Sequence, residues 1–409
     1  MGAGELGLAR AFVEGDLDID GDIVDGILAL RGRGINGPGD AVRVLPELAR
    51  TARTLGKLRS KPDIPSIEAR PTGWRHSKQR DAAAISHHYD VGNEFYRLVL
   101  GPAMTYSCAR FSRPADSLEL AQASKHELVC RKLGLHERPG QRLLDIGCGW
   151  GAMAMHAARH HGATVVGITL SSEQAEWARL AVERAGLSDR VEIRRCDYRE
   201  LGEPAGFDAV SSIGMFEHVG SSRADEYFAA VRRALRPGGR FVNHAISSVG
   251  GSKIGRRSFM YRYVFPDGEL LDVADVAARM ERAGFEVRDV ESLREHYAAT
   301  LRAWIARLET NWDRCVELAG LARTRVWRLY MAGSAVGFED GGISIHQVVG
   351  AIPDASGAVT FPRTRDGWST AAFERGWSAE PDRRGTDADA NSESDSRSAS
   401  PVDRGGTDV

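Results

Sequence analysis

Leu143-Leu144-Asp145-Ile146-Gly147-Cys148-Gly149-Trp150-Gly151 is the stretch on which the reading of this chain turns. Its first four residues are a short apolar run carrying one acid, the pattern of a buried β-strand. Glycines at alternate positions follow, and then a run of Ala, Met and His that reads as a helix. Glycines at a strand-to-helix turn let the backbone approach a ligand closely. In an open α/β sheet such a turn sits at the carboxyl ends of the strands, where ligands bind.

Working outward, strand and helix patterns alternate. Strands are expected at 142–146, 164–169, 191–195, 209–213 and 240–246, and helices at 172–185 and 224–235. Pro237-Gly238-Gly239 reads as a turn into the last of these strands. This alternation predicts a parallel sheet with crossover helices, a Rossmann-like α/β fold. The glycine spacing is GxGxG rather than the GxGxxG of dinucleotide sites, and the end of the second strand, Gly167-Ile168-Thr169-Leu170-Ser171, offers no acid for a ribose. The acid precedes the glycines, at Asp145. That favours S-adenosylmethionine, which has a cationic amino-acid moiety and no pyrophosphate. Asp197, in Cys196-Asp197-Tyr198 after the third strand, suits the adenine amine.

The flanks are different in character. Residues 1–80 read as helical with breaks. Asp20-Gly21-Asp22 hints at a calcium loop, but no glutamate stands at the twelfth loop position, so a cap on an apolar helix at 23–30 is the better reading. A second helix is expected at 41–58. Across 43–80 basic residues outnumber acidic ones, with Pro62, Pro65 and Pro71 as breakers. Two readings stay open there, a solvated linker and a surface for an anionic membrane. Residues 380–409, rich in Asp, Ser, Arg and Gly, are expected to be disordered.

Composition narrows the class of function. The chain has 409 residues, 42% hydrophobic and 27% charged, with a formal net charge of -2. No global field calls for nucleic acid, and no Asn-Pro-Pro-Tyr motif for base amines is present. The five cysteines are odd in number and lack CxxC spacing, which argues against a disulfide framework or a zinc site and for a reducing compartment. No basic-then-apolar leader and no apolar run of membrane-spanning length is seen, so a cytoplasmic protein is expected. A lipid substrate would then be reached from the membrane surface.

Further strings go beyond a generic methyltransferase. They are His87-His88-Tyr89-Asp90-Val91-Gly92-Asn93-Glu94-Phe95-Tyr96, Thr105-Tyr106-Ser107-Cys108, Thr169-Leu170-Ser171-Ser172-Glu173-Gln174 and Gly214-Met215-Phe216-Glu217-His218-Val219-Gly220. Downstream lie Arg262-Tyr263-Val264-Phe265-Pro266-Asp267-Gly268-Glu269 and His296-Tyr297-Ala298-Ala299-Thr300-Leu301. Together, in order over about 80–350, they resemble the cyclopropane-fatty-acyl-phospholipid synthase family, which includes the mycolic acid cyclopropane synthases.

The resemblance implies a class I S-adenosylmethionine-dependent methyltransferase fold at 81–375, after a shortened lipid-binding region and basic linker at 1–80. It implies methyl transfer to a cis double bond of a phospholipid acyl chain at the membrane surface. An alkene is a poor nucleophile, so the methyl must be held in line with it in a dry pocket. The resulting carbocation needs stabilisation, for which Tyr89, Tyr106, Phe216, Tyr261 and Tyr263 offer aromatic faces. By resemblance, a bound bicarbonate ion takes the proton, held by Cys108, Glu217, His244, Ile246 and Tyr297. Without the resemblance, His244 reads as a core histidine. Tyr106, Ser107, Asp145, Gly147, Cys148, Gly149, Thr169, Leu170, Gln174, Asp197 and Tyr198 are expected around the cofactor. No metal is called for, and a homodimer is left open.

A late segment where some members carry cysteine reads Met331-Ala332-Gly333-Ser334-Ala335, which excludes a covalent thiol at that place. The acyl tunnel is expected beneath 259–271 and 298–330. There Leu301, Trp304, Ile305, Leu308 and Trp312 recur at helical spacing, which serves core packing and tunnel lining alike. Three other outcomes remain. Proton loss could leave a methylene branch, since the same cation precedes both products. The substrate could be a small molecule, or the chain could bind lipid without catalysis. The intact glycine turn and Glu217 argue against the last.

Overall fold

The computed structural model describes residues 5–32, 65, 67–69, 91–202 and 204–378. Tyr89 with the rest of 87–90, the helix expected at 41–58, the basic residues of 43–80 and the tail at 380–409 lie outside the described residues.

The five expected strands form one side of the sheet: β1 (Arg142–Ile146), β2 (Thr164–Thr169), β3 (Val191–Arg195), β4 (Phe207–Ile213) and β5 (Leu235–Ser248). They pair in parallel in the order β3-β2-β1-β4-β5. Interior β-branched and aliphatic runs with both faces covered are what parallel strands require. The order reverses between β2 and β4 around β1, so the glycine turn after β1 opens at the switch point.

Beyond β5 the sheet continues with strands the sequence patterns do not announce. β6 (Leu271–Asp272) pairs with the end of β5, and β7 (Glu286–Ser292) and β8 (Ile343–Ala351) complete the sheet. β8 lies antiparallel between β5 and β7. The turn expected at Pro237-Gly238-Gly239 is instead absorbed into β5. Gly238 takes φ +78°, its amide donates to Ile352 O, and Gly239 O accepts from Ile352 N. Backbone partners on that side let the strand start early, at the cost of a register irregularity against β4 between Phe207 and Ala209.

Helices cover both faces. In chain order α1 is Glu5–Glu14, α2 Ile23–Gly32, α3 Asn93–Leu100, α4 Leu118–Lys132, α5 Ala152–His161 and α6 Ser172–Arg184. α7 (Ala224–Ala234), α8 (Val273–Arg282), α9 (Arg294–Thr310), α10 (Trp312–Ala319), α11 (Leu321–Glu339) and α12 (Ala371–Gly376) follow. Ser117 and Ser171 cap α4 and α6 by accepting from Leu120 N and Gln174 N. Asp22 Oδ1 accepts from Val24 N and Asp25 N, so Asp22 caps α2 rather than opening a calcium loop.

A third apolar core lies off the sheet, where α3, α9 and α11 carry Phe95, Tyr96, Leu301, Trp304, Leu308, Val336 and Phe338. Leu301, Trp304, Ile305 and Leu308 are all buried there, each burial worth about 1.5–3 kcal/mol. Trp312, beyond the break at Asn311, only borders this core. α1 and α2 pack on α11: the Arg325 guanidinium donates to Phe12 O and Leu17 O. No described helix is long and apolar enough to cross a membrane.

Candidate active site

The turn after β1 opens into a cavity at the carboxyl ends of β1, β2 and β4. Gly147 has φ +76°, and a Cβ there would sit 2.9 Å from Met215 Cβ. Gly149 also has positive φ, and nothing lies within 4 Å of where its Cβ would be. The loop therefore needs glycine for conformation at both positions and for room at Gly147. All eleven residues expected around the cofactor line this one cavity: Tyr106, Ser107, Asp145, Gly147, Cys148, Gly149, Thr169, Leu170, Gln174, Asp197 and Tyr198.

Asp145, next to last in β1, is almost fully buried, with Oδ1 accepting from Ser211 Oγ at 2.8 Å. Oδ2 is buried without a hydrogen-bond partner. Burial pushes its carboxyl up to about 6, opposed by Ser211 and by the charge of Lys125. An unmet carboxylate oxygen facing the cavity suits the cationic end of S-adenosylmethionine. At the end of β2, Thr169 Oγ1 donates to Gln174 Oε1 at 2.9 Å, which fixes the first turn of α6 against the cavity. Both Asp197 oxygens are engaged by Arg199, at 2.8 and 2.6 Å. Tyr198 sits edge-on to Tyr227, with ring centroids 5.2 Å apart.

Lys125 is a wall residue that motif reading misses. It is fully buried on α4 and donates from Nζ to Ser107 Oγ at 2.8 Å. Burial draws its ammonium down to about 7, against the pull of Cys108 and Asp145. Its neighbour His126 and Trp150 also line the cavity. A lysine in the polar stretch Gln122-Ala123-Ser124-Lys125-His126-Glu127 gives no sign in the sequence that it points inward.

None of the five residues assigned to the anion lines this cavity, although Glu217 neighbours the lining residue His218 and Cys108 the lining residue Ser107; the five fall into two groups. Glu217, in a short helical turn after β4, accepts from Ile246 N at 2.7 Å through Oε1. The Ile246 amide, assigned to the anion by resemblance, is thus bonded to Glu217 in this structure. Glu217 Oε2 is buried without a partner, and burial raises the carboxyl from 4.5 to about 7. His244, two residues before Ile246 on β5 and on the same face, is fully buried. Gln347 Nε2 approaches its Nδ1 at 3.1 Å; with the amide donating there, the ring proton falls on Nε2, which is buried without a partner. Burial holds this imidazole neutral. The second group is Cys108 and Tyr297: Cys108 Sγ donates to Leu293 O, and Tyr297 N bonds the same carbonyl. The charge of Lys125 acts on both Cys108 and His244.

Glu217 is tied into the protein from behind. Glu269 N donates to Glu217 O at 3.1 Å, and the Glu269 carboxylate holds Ser221 N and Oγ. The string 262–269 thereby sets the position of the Glu217 turn. Against the cavity, Tyr106 joins an aromatic wall of Tyr96, Trp304 and Trp327, at centroid distances of 5.8, 5.4 and 5.7 Å, and its hydroxyl donates to Tyr330 at 3.0 Å. Phe216 packs instead on Tyr227 and Phe228 in the sheet core. Tyr261 donates to Asp267, and Tyr263 stacks on Phe259. The wall draws on α3, the 105–108 string, α9 and α11, segments that no local pattern could assemble.

The parallel sheet, the glycine turn and the cavity at the switch point define a class I S-adenosylmethionine-dependent methyltransferase. The family described as mycolic acid cyclopropane synthetase matches residues 76–348. A probable fatty acid methyltransferase of Mycobacterium tuberculosis is 45% identical over 371 residues, covering 88% of this chain and 85% of that one. The cyclopropane-fatty-acyl-phospholipid synthase of Escherichia coli is 38% identical over 67% of this chain and 69% of its own length. A solved mycolic acid cyclopropane synthase complexed with SAH and CTAB superimposes with a TM-score of 0.62 at 33% identity, over 66% of this chain and 98% of that one. The chain belongs to the mycolic acid cyclopropane synthetase family. It is an S-adenosylmethionine-dependent methyltransferase whose chemistry is the methylation of lipid.

Proposed function

We propose that the protein transfers a methyl group from S-adenosylmethionine to the cis double bond of an unsaturated acyl chain in a phospholipid, and that loss of a proton closes a cyclopropane ring. The observation that carries this reading is a cofactor cavity walled by Tyr106, with two unmet buried polar atoms on residues joined to its lining: Glu217 Oε2, next to the lining residue His218, and His244 Nε2, whose residue accepts from the lining residue Gly214 through its backbone.

S-adenosylmethionine would lie along Gly147, Cys148 and Gly149, with Asp145 Oδ2 facing its cationic end. Thr169, Leu170 and Gln174 would border the ribose, and Asp197 and Tyr198 the adenine. Tyr106 and Ser107 close the cavity between cofactor and acceptor. The aromatic wall excludes water and presents π-faces to positive charge developing on the acyl chain.

A bicarbonate ion fits the remaining groups. His244 Nε2 is a donor without an acceptor, and a Glu217 carboxyl poised near neutrality can donate to an oxyanion or accept from it. Cys108 would contribute a backbone group and Tyr297 its hydroxyl, while the Ile246 amide, bonded to Glu217, would act on the anion only by holding that carboxyl in place. When bound, bicarbonate would supply a base that takes the substrate proton. Residues 81–375 would form the catalytic unit, and 1–80 would meet the membrane surface from which the acyl chain enters.

A second reading ends the same methylation in a methylene branch. The 45% identity to a probable fatty acid methyltransferase favours keeping it. Mass spectrometry and proton NMR of lipids from a host expressing the chain decide. A mass gain of one methylene with ring protons at high field supports cyclopropanation, vinylidene protons support the branch, and unmodified lipids sink both.

A further inference from the structure

On the face of the sheet away from Glu217, α4 and α5 bring Cys130, His156 and His161 together, with Glu127 hydrogen-bonded to both imidazoles. We propose that Glu127 and Cys130 of α4, with His156 and His161 of α5, form a structural site for a divalent cation of the zinc class. The Cys130 sulfur and the ligating ring nitrogens of His156 and His161 all lie within 4.8 Å of one another. Glu127 Oε2 is 3.2 Å from His156 Nε2 and 2.8 Å from His161 Nε2.

The placement follows from the two helices. Positions three apart on α4 share a face, so the Glu127 and Cys130 side chains point the same way. His161 is the last residue of α5, ahead of Gly162 at φ +65°, which ends the helix and lets the imidazole fold back beside His156.

One thiolate, two imidazoles and a carboxylate are a tetrahedral donor set that suits zinc better than calcium or magnesium. Bonds of about 2.0–2.3 Å would need the Cys130, His156 and His161 ligand atoms, now within 4.8 Å of one another, to close in and the Glu127 carboxylate to turn from its imidazole hydrogen bonds onto the cation. Cys130 would ligate as thiolate, its proton passing to solvent, and each imidazole would move its proton to Nδ1; nothing is oxidised or reduced. Arg131 Nε, 2.6 Å from Glu127 Oε1, would remain as an outer partner that orients the carboxylate.

Glu127, Cys130 and His156 are buried, which keeps competing water out. His161 borders an open surface pocket shared with His136 and His160, which gives a cation a way in. With all four positions filled by protein no place is left for substrate, so the role is structural. The cation would clip α4, which carries Lys125 to the cofactor cavity, to α5, which starts at the glycine turn.

The test uses the untagged full-length protein. Zinc content is measured after desalting, and chelator-stripped protein is titrated with cobalt(II). The expected result is stoichiometric retained zinc and a cobalt spectrum with tetrahedral visible bands and a thiolate charge-transfer band. Cys130→Ser should lose the charge-transfer band. His161→Gln, at the half-buried edge, should weaken zinc in competition with a chromogenic chelator by more than the about 10–100-fold that loss of an outer partner costs. Its circular dichroism should match wild type. Wild-type protein that retains no zinc and gives no such spectrum would make the four side chains a hydrogen-bonded packing cluster and overturn the assignment. So would His161→Gln that folds and binds zinc as wild type does, even if Cys130→Ser fails to fold.

Discussion

Replacing Glu217 by glutamine should raise stability at alkaline pH while abolishing turnover. Burial lifts the folded-state pKa of Glu217 from 4.5 to about 7. Below pH 4.5 the folded and unfolded chains both hold this proton, and the group costs nothing. As pH rises from there toward 7 the unfolded chain ionises first, so stability present at low pH is lost. The shift is about 2.5 pH units (7 − 4.5), and at 1.36 kcal/mol per unit the ceiling is about 3 kcal/mol, reached above pH 7. Glutamine keeps an Oε1 acceptor for Ile246 N and has no charge to bury. Leaving its amide unmet where Oε2 is now orphaned adds a penalty that does not depend on pH. The difference in unfolding free energy between variant and wild type should therefore move by about 2–3 kcal/mol in favour of glutamine between pH 5 and pH 8. Denaturant melts at the two pH values in bicarbonate-free buffer measure it. Lipid turnover should fall by at least about 100-fold, as expected for a group holding a proton acceptor, and S-adenosylmethionine affinity should not change. Parallel stability curves, or a variant with full turnover, would refute the reasoning.

Four further outcomes follow from the same geometry. Asp145→Asn should weaken S-adenosylmethionine about 10–100-fold by calorimetry, the scale of one charge-assisted hydrogen bond. In wild type that affinity should decline as pH falls through about 6; Lys125→Met, which removes a charge favouring ionised Asp145, should move this midpoint upward. Gly147→Ala should cost about 1–2 kcal/mol for the left-handed backbone and more for the 2.9 Å approach to Met215 Cβ, so adding Met215→Ala should recover part of the loss in thermal melts. Ser334→Cys should leave lipid turnover unchanged within assay error, because no thiol at that position takes part.

The sheet was legible where the chain is most constrained. β1 and β2 begin and end where their apolar runs place them, because these inner parallel strands are buried on both faces, while the edge strand β3 shows as an alternation of buried and exposed residues. β8 escaped notice because Ile343–Ala351 mixes Ser, His and Gln with aliphatics, and nothing local says that it belongs beside β5. The same logic divides the site. The cofactor residues stand in short strings at strand ends, where sequence order and spatial order coincide. The aromatic wall does not, since Tyr96, Trp304 and Trp327 meet only after the helical cap folds. Lys125 and the Glu127–His161 cluster are hidden for a related reason: their spacing arises between elements across a gap and not along the chain.

The position of β8 has a bearing on how the chain can be made. This strand lies inside the sheet, bonded to β5 on one edge and β7 on the other, yet it comes after every other strand in the chain. A ribosome must therefore deliver about 350 residues before β5 can pair on its far side, and the loop so closed is long, which slows folding. Until then the inner edge of β5, with His244 on it, is an open template for other strands. Stopping translation just before Ile343 should yield an aggregation-prone chain rather than a smaller enzyme.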